Sequence, residues 1–283
     1  MEKTALMPGP AADKQFEFRD DDFDRVRRLI YQRAGISLGA HKREMVYSRL
    51  ARRLRSLGRN SFTAYLDGLE ADTASAEWEE FVNALTTNLT AFFREGHHFP
   101  VLAELVRHRP RPISVWCCAA STGEEPYSIA MTLFEALGPQ ARDARVLATD
   151  IDTQVLEKAQ RGIYGLDRVE RMEPERLRRF FLRGKGANEG MVRVRPEVAE
   201  IVEFAPLNLL SPRWDVAGPF DAIFCRNVMI YFDKSTQAGI LKRFVPLVKP
   251  GGLLFAGHSE NFTYISQSFK LRGQTVYELS RPA

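Results

Sequence analysis

The spacing of apolar residues changes near residue 112. Before that point they recur every three or four positions, the signature of amphipathic helices. Asp20, Asp21 or Asp22 can cap a first helix whose apolar face is Phe23, Val26, Leu29 and Ile30, and Gly35 and Gly39 end it. Met45, Val46, Leu50, Leu54 and Leu57 predict a second helix over 41–57. Phe62, Tyr65, Leu66 and Leu69 predict a third over 61–70, and Trp78, Phe81, Val82 and Leu85 a fourth over 75–86. Residues 16–90 therefore read as a small all-helical domain. Residues 1–15 contain Pro8 and Pro10 and no periodicity, and are expected to be a disordered tail. A linker over 91–112 carries a connecting helix near 96–107.

From Ile113 onward the pattern becomes short apolar runs alternating with helical stretches. Strands are predicted at 113–119, 145–149, 200–205, 220–225 and 252–257, and helices at 124–137, 153–161 and 235–247. That alternation specifies an α/β domain over 113–283 with a mostly parallel sheet between helices. An antiparallel pair, 268–272 and 274–280, closes it. One segment interrupts the rhythm. A helix over 174–186 (Leu177, Phe180, Phe181), the run RGKGANEG and the strand MVRVR predict an inserted helix-plus-hairpin subdomain at about 174–195.

Composition narrows the class. The 283 residues are 45% hydrophobic and 27% charged, as in globular domains. No run of 18 apolar residues and no signal-peptide pattern occurs, so a cytoplasmic protein without membrane insertion is expected. Three cysteines, two of them adjacent, fit buried thiols rather than a disulfide framework, and no cysteine–histidine spacing points to a metal. The net charge is +4, but its distribution matters more. Over 41–59, Lys42, Arg43, Arg49, Arg52, Arg53, Arg55 and Arg59 face a single acid, Glu44. A charge run is usually a solvated face, but seven cations with one acid lack the mixed signs that a merely soluble face favours.

Candidate chemistry gathers after the strands. Ile113–Ser128, ISVWCCAASTGEEPYS, is a strand, a small-residue turn and a helix start. Ligands in open α/β sheets sit beyond the carboxyl ends of strands. The turn has one glycine and two carboxylates, which suits a cationic or neutral, hydroxyl-rich cofactor better than a phosphate. An ordinary strand-to-helix connection reads equally from this stretch alone. In ATDID, Asp150 can accept from a ribose diol while Asp152 caps the next helix. In LNLL, Asn208 can read an adenine edge with Leu209 packed beside it, or simply form a turn. In CRNVMIYF, Arg226, Asn227 and Tyr231 stand where catalytic groups belong, although Tyr231 and Phe232 could equally cap the core. NLTAFFR offers Asn88, Thr90 and Arg94; Arg94 can grip a carboxylate through two parallel hydrogen bonds, or the segment can be a solvated linker.

Taken together, NLTAFFRE, AASTGEEPYS, ATDID, FDAIFCRNVMIYFDK, VKPGG and LLFAGHSENF resemble the chemotaxis receptor methyltransferase (CheR) family, from about Phe16 to Leu279. The resemblance implies a class I S-adenosylmethionine-dependent methyltransferase fold (Rossmann-like) with a helical N-terminal domain and an inserted β-subdomain. It implies that Asn88, Thr90, Arg94, Glu125, Asp150, Asn208, Leu209, Arg226 and Asn227 contact S-adenosylmethionine, and that Arg94 and Tyr231 are catalytic-site residues. The reaction implied is methyl esterification of glutamates on the cytoplasmic helical region of chemoreceptors, giving S-adenosylhomocysteine without a metal, on an enzyme recruited to membrane receptor arrays. The 41–57 helix would bind the receptor through Arg43, Arg49, Arg52, Arg53 and Arg55, with Arg59 just beyond. The insertion would take a pentapeptide at some receptors' C-termini. The first strand lacks the E-x-G-x-G-x-G pattern of other methyltransferases, which leaves the roles of Glu124 and Glu125 to be divided.

Such a reaction needs no general base, because a glutamate with a reference pKa of about 4.3 is already ionised at neutral pH. Alignment of oxygen, carbon and sulfur can supply roughly 7–11 kcal/mol. Two other readings compete. An RNA methyltransferase would use the basic helix on phosphates, but no base-stacking aromatic platform is evident, so no nucleic-acid partner is expected. A receptor-binding adaptor that has lost catalysis would not need Asp150, Asn227 and Tyr231.

Overall fold

The computed structural model describes residues 15–280. The expected disordered tail, apart from Gln15, lies outside the described residues. These divide into two compact units, residues 15–32 with 38–85, and residues 33–37 with 86–280.

The first unit is helical. α1 (Asp20–Ala34) begins with three aspartates in its first turn, and Asp22 accepts the Arg19 amide at 3.1 Å. A single 3₁₀ turn, Ala40–Lys42, precedes α2 (Arg43–Ser56), so the helix starts two residues later than its periodicity predicts. Val46, Leu50 and Leu54 are fully buried, whereas Leu57 caps the helix and is exposed. α3 (Phe62–Ala71) is capped by the Ser61 hydroxyl, and α4 (Glu77–Leu85) buries Trp78, Phe81, Val82 and Leu85. Phe16, Phe18, Tyr47 and Phe62 form an aromatic cluster against α2 and α3.

The second unit starts with α5 (His98–Arg107) and then alternates: β1 (Ser114–Cys117), α6 (Glu124–Leu137), β2 (Arg145–Asp150) and α7 (Thr153–Arg161). A small subdomain intervenes, made of the strands β3 (Ile163–Gly165), β4 (Phe181–Arg183) and β5 (Met191–Val194) with the helix α8 (Pro174–Phe180). The short α9 (Pro196–Ala199), β6 (Val202–Pro206), β7 (Phe220–Cys225), α10 (Lys234–Phe244), β8 (Val248–Ala256), β9 (Phe269–Gly273) and β10 (Val276–Leu279) complete it. The main sheet runs β6-β2-β1-β7-β8-β10-β9. Its first five strands pair in parallel, and β10 pairs antiparallel with both β8 and β9.

β1 shows why this sheet is buried on both faces. Val115 and Cys117 point into the layer formed with Ile129, Met131 and Leu133 of α6. Trp116 and Cys118 point into the opposite layer with Ile240, Leu241 and Phe244 of α10. Alternate residues of one apolar run thus serve two cores. The chain moves from β1 outward to β2 and β6, then reverses to β7 on the other side of β1. That reversal makes the β1/β7 edge the crevice where ligands bind in this architecture.

The insertion departs from expectation. α8 stops at Phe180, and Phe181 opens a strand instead of continuing the helix. Ile163–Gly165 adds a third strand, giving the antiparallel order β3-β5-β4 rather than a hairpin. Three-residue strands carry too little alternation to be read from sequence.

Candidate active site

Five strand ends meet around one turn. After β1, Ala120 to Gly123 curl back so that the Ser121 amide donates to Asp150 Oδ2 at 2.8 Å. Ser121 sits at φ 48° and Gly123 at φ 98°. Gly123 cannot be replaced easily, because a Cβ there would stand 2.7 Å from the Tyr164 hydroxyl and 2.9 Å from Ala159 Cβ. Asp150 also accepts the Asp152 amide at 3.0 Å through its other oxygen. Burial pushes its carboxyl up to about 6, against the pull of these two amides. Asp152 caps α7 by accepting from Gln154 and Val155. Its second oxygen takes the Thr86 hydroxyl and the Asn88 amide, each at 2.7 Å. At the end of β6, the Leu207 amide bonds to the Asp150 carbonyl at 2.8 Å, which sets Asn208 beside the same edge. Asn208 is itself held by the Leu210 amide and the Arg33 carbonyl, and Leu209 is buried.

The two glutamates of the turn divide cleanly. Glu124 is 1% exposed and pairs with Arg168 and the Thr122 hydroxyl. Glu125 faces the other way and pairs with Arg226, which follows β7. Burial pushes the Glu125 carboxyl up, and Arg226 opposes that push.

Arg226 is the hub. Its side chain is fully buried, and it reaches Glu125, Glu95 (3.3 Å) and the Arg94 carbonyl (2.6 Å). Its Nε is buried without a hydrogen-bond partner among the described residues. Glu95 also accepts from Asn227 at 3.3 Å and faces His258 at 3.1 Å. Burial works against the Glu95 charge, but His258, Arg226 and Asn227 hold its carboxyl down at about 2. Glu95, His97 and His98 could offer three donors to a cation, yet Glu95 is already neutralised by a cation of the chain itself.

Asn227 adopts φ 57°, a strained value for a side-chain-bearing residue. Glu260, in the loop after β8, holds it there. One oxygen of Glu260 accepts the Val228 and Met229 amides at 2.9 and 2.8 Å. The other accepts the Asn227 and Gly257 amides at 3.0 and 2.5 Å. Burial pushes this carboxyl up while the four amides pull it down. At Gly257 a Cβ would lie 2.3 Å from Asn227 Nδ2, so only glycine leaves room for the amide.

Of the residues singled out from sequence, Asn88, Glu125, Asp150, Asn208, Leu209, Arg226 and Asn227 stand along these strand ends and their partners. Arg94 is half-buried and donates to the Leu89 carbonyl at 2.8 Å, while the Thr90 carbonyl accepts from Arg168 at 2.9 Å. Tyr231 is half-buried, and its carbonyl takes the Ser37 amide. Sequence reasoning missed Glu95 and Glu260, whose importance depends on backbone amides and an arginine contributed by distant strands.

In the helical unit the basic face is only partly outward. Arg43 pairs with Asp20 at 3.0 Å and stacks on Phe18. Arg53 pairs with Glu77 and with Glu80. These two guanidiniums are thus engaged in ion pairs within the unit itself. Arg49 donates to the Ala84 carbonyl, whereas Arg52, Arg55 and Arg59 are exposed.

Known proteins place this arrangement. Residues 88–278 match the family described as CheR methyltransferase, SAM binding domain, and residues 21–86 match its all-alpha domain. A chemotaxis protein methyltransferase of Klebsiella aerogenes is 65% identical over 262 residues, covering 93% of this chain and 90% of the relative. Those of Salmonella typhimurium and Escherichia coli are 63% and 62% identical, covering 93% of this chain and 91% and 92% of theirs. The chain, with its all-helical unit and its strand-end crevice, therefore belongs to the CheR methyltransferase family.

Proposed function

We propose that this protein transfers the methyl group of S-adenosylmethionine to glutamate side chains on the cytoplasmic helical region of chemoreceptors, forming methyl esters. The carrying observation is the Arg226 hub. It links the Glu125 turn after β1 to the Asn227 loop after β7, on the edge where Asp150 of β2 also ends. The residues fit the cofactor. Arg226 Nε is an orphaned buried donor that the cofactor's amino-acid carboxylate would satisfy. Asp150 has acceptor capacity left for ribose hydroxyls. When bound, the cofactor supplies an electrophilic methyl on a sulfonium.

The chain's own task is positioning. Asn227 and Tyr231 border the place where a substrate carboxylate would enter, and Arg94 orients either that carboxylate or the cofactor. Exclusion of water favours a reaction in which opposite charges cancel. Arg52, Arg55 and Arg59 suit an acidic receptor helix. The three-stranded sheet suits an extended pentapeptide added along the edge strand β4, where Leu182 is exposed.

Methyl-labelled S-adenosylmethionine, a receptor cytoplasmic fragment and mild alkali test this directly. Volatile labelled methanol identifies a carboxyl ester; alkali-stable label overturns the reading. Arg94→Ala should lower kcat/KM about tenfold, as expected for loss of one charged hydrogen bond; unchanged kinetics would remove Arg94 from the site. Affinity for S-adenosylhomocysteine should fall as pH drops through about 6, because protonated Asp150 is a poorer acceptor for the ribose hydroxyls. Calorimetric titrations across that range should show the fall in the native chain and a flat profile in Asp150→Asn.

A further inference from the structure

We infer that the loop after β8 carries a second docking surface for the acidic receptor helix, formed by Tyr264 at its tip with Lys234 and Ile265 in the cleft beneath it. The inference rests on the proposed receptor substrate. The loop is firmly rooted. Phe262 is 1% exposed, packs on the Tyr277 ring at 5.2 Å, and donates its amide to the Tyr277 hydroxyl. Glu260 fastens the same loop to the Asn227–Met229 backbone. Two residues beyond this anchor, Tyr264 is 94% exposed.

A large ring held out on a rooted loop gains nothing for the fold, and aromatic anchors are what protein interfaces use. Beneath Tyr264 lies a cleft of about 640 Å³ lined by Lys234, Ser235, Asn261 and Ile265. The neighbouring acid, Asp233, is spent on capping α10 through the Thr236 amide and on the Ser235 hydroxyl. Asp233 does not line the cleft, and among the described residues the one charged side chain that does is Lys234. An apolar ring and a β-branched side chain beside an ammonium complement an amphipathic helix that carries carboxylates. The position is also right: the Glu260 clamp joins this loop to the segment bearing Asn227 and Tyr231, so a helix seated here would present a glutamate to that edge.

The test uses the full chain and a receptor cytoplasmic fragment. Tyr264→Ala should raise KM for the fragment about tenfold, leave affinity for S-adenosylhomocysteine and thermal stability unchanged, and be largely rescued by Tyr264→Phe. Lys234→Glu should raise KM further, with the increase shrinking at high salt. Unchanged KM in Tyr264→Ala alongside normal wild-type labelling overturns this inference alone. So does a finding that Tyr264→Ala abolishes self-association of the chain without altering KM. Failure of the wild type to form base-labile esters on the fragment overturns the proposed function as well.

Discussion

Arg226→Met is expected to destabilise the second unit by about 3–5 kcal/mol, the usual consequence of removing one partner from a buried ion pair. The guanidinium has no solvent access, and Glu95 and Glu125 would be left facing each other with their side chains only 10% exposed. The pH dependence identifies the cause. Glu95 is held down at about 2 in the folded protein, below its ordinary value, so its contribution to stability is present at neutral pH and fades as pH falls through the acid range. Without Arg226 much of that contribution disappears. The gap between wild type and variant should therefore be widest near neutrality and should narrow as both carboxylates become protonated. Denaturant titrations followed by the fluorescence of Trp116 and Trp214, which lie in this unit, would measure it. A gap that stays constant with pH would mean the loss is packing alone. Arg226→Lys should not restore cofactor binding. An ammonium cannot span Glu95, Glu125 and the Arg94 carbonyl as a planar fork does.

Glu260→Gln is expected to lower kcat by on the order of 100-fold, the scale of a 1 Å misplacement near reacting groups. The carboxylate accepts four backbone amides, two on each oxygen. A glutamine keeps one acceptor and turns an NH₂ toward two donors. That repulsion frees Asn227 from φ 57°. Gly257→Ala should reach the same end by a different route, by pushing the Asn227 amide aside. Single-turnover rates of both variants at saturating cofactor would show the loss. If Glu260→Gln unfolds the chain, Gly257→Ala carries the test, since it keeps every group of the four-amide clamp and disturbs it only by the Cβ pressing on Asn227 and on Glu260 Oε2. Normal turnover in both would show that the Asn227 loop needs no fixing.

Much of this architecture is legible from residue spacing, for reasons that particular elements make plain. α6 and α7 occupy the predicted 124–137 and 153–161 because both boundaries are written locally: Gly123 and Gly138 flank one, and Asp152 caps the other. β7 also stands at its predicted 220–225, a run of six buried residues. The small sheet resisted because its strands are three or four residues long and its order depends on distant pairing. The site was legible as motifs but not as geometry. Asp150, Arg226 and Asn227 stand out as polar residues after apolar strands. Glu260 does not: GHSENF reads as a surface loop, and only the amides brought by β7 bury its carboxylate. Likewise, nothing in the spacing of the basic helix distinguishes Arg53, which locks onto Glu77 and Glu80, from its exposed neighbours.

The three thiols of the chain all lie inside the second unit. Cys117, Cys118 and Cys225 are all buried; burial pushes the first two thiols up, and at Cys225 a hydrogen bond with Cys118 pulls down while burial and the nearby carboxylates of Glu260 and Glu125 push the thiol above its ordinary value. At neutral pH they present almost no accessible thiolate. The folded chain is therefore expected to react little with maleimides. A single cysteine introduced at Arg52 or at Tyr264 would become the sole addressable handle on the folded chain, ready for a fluorophore or a photo-crosslinker without first rebuilding the background.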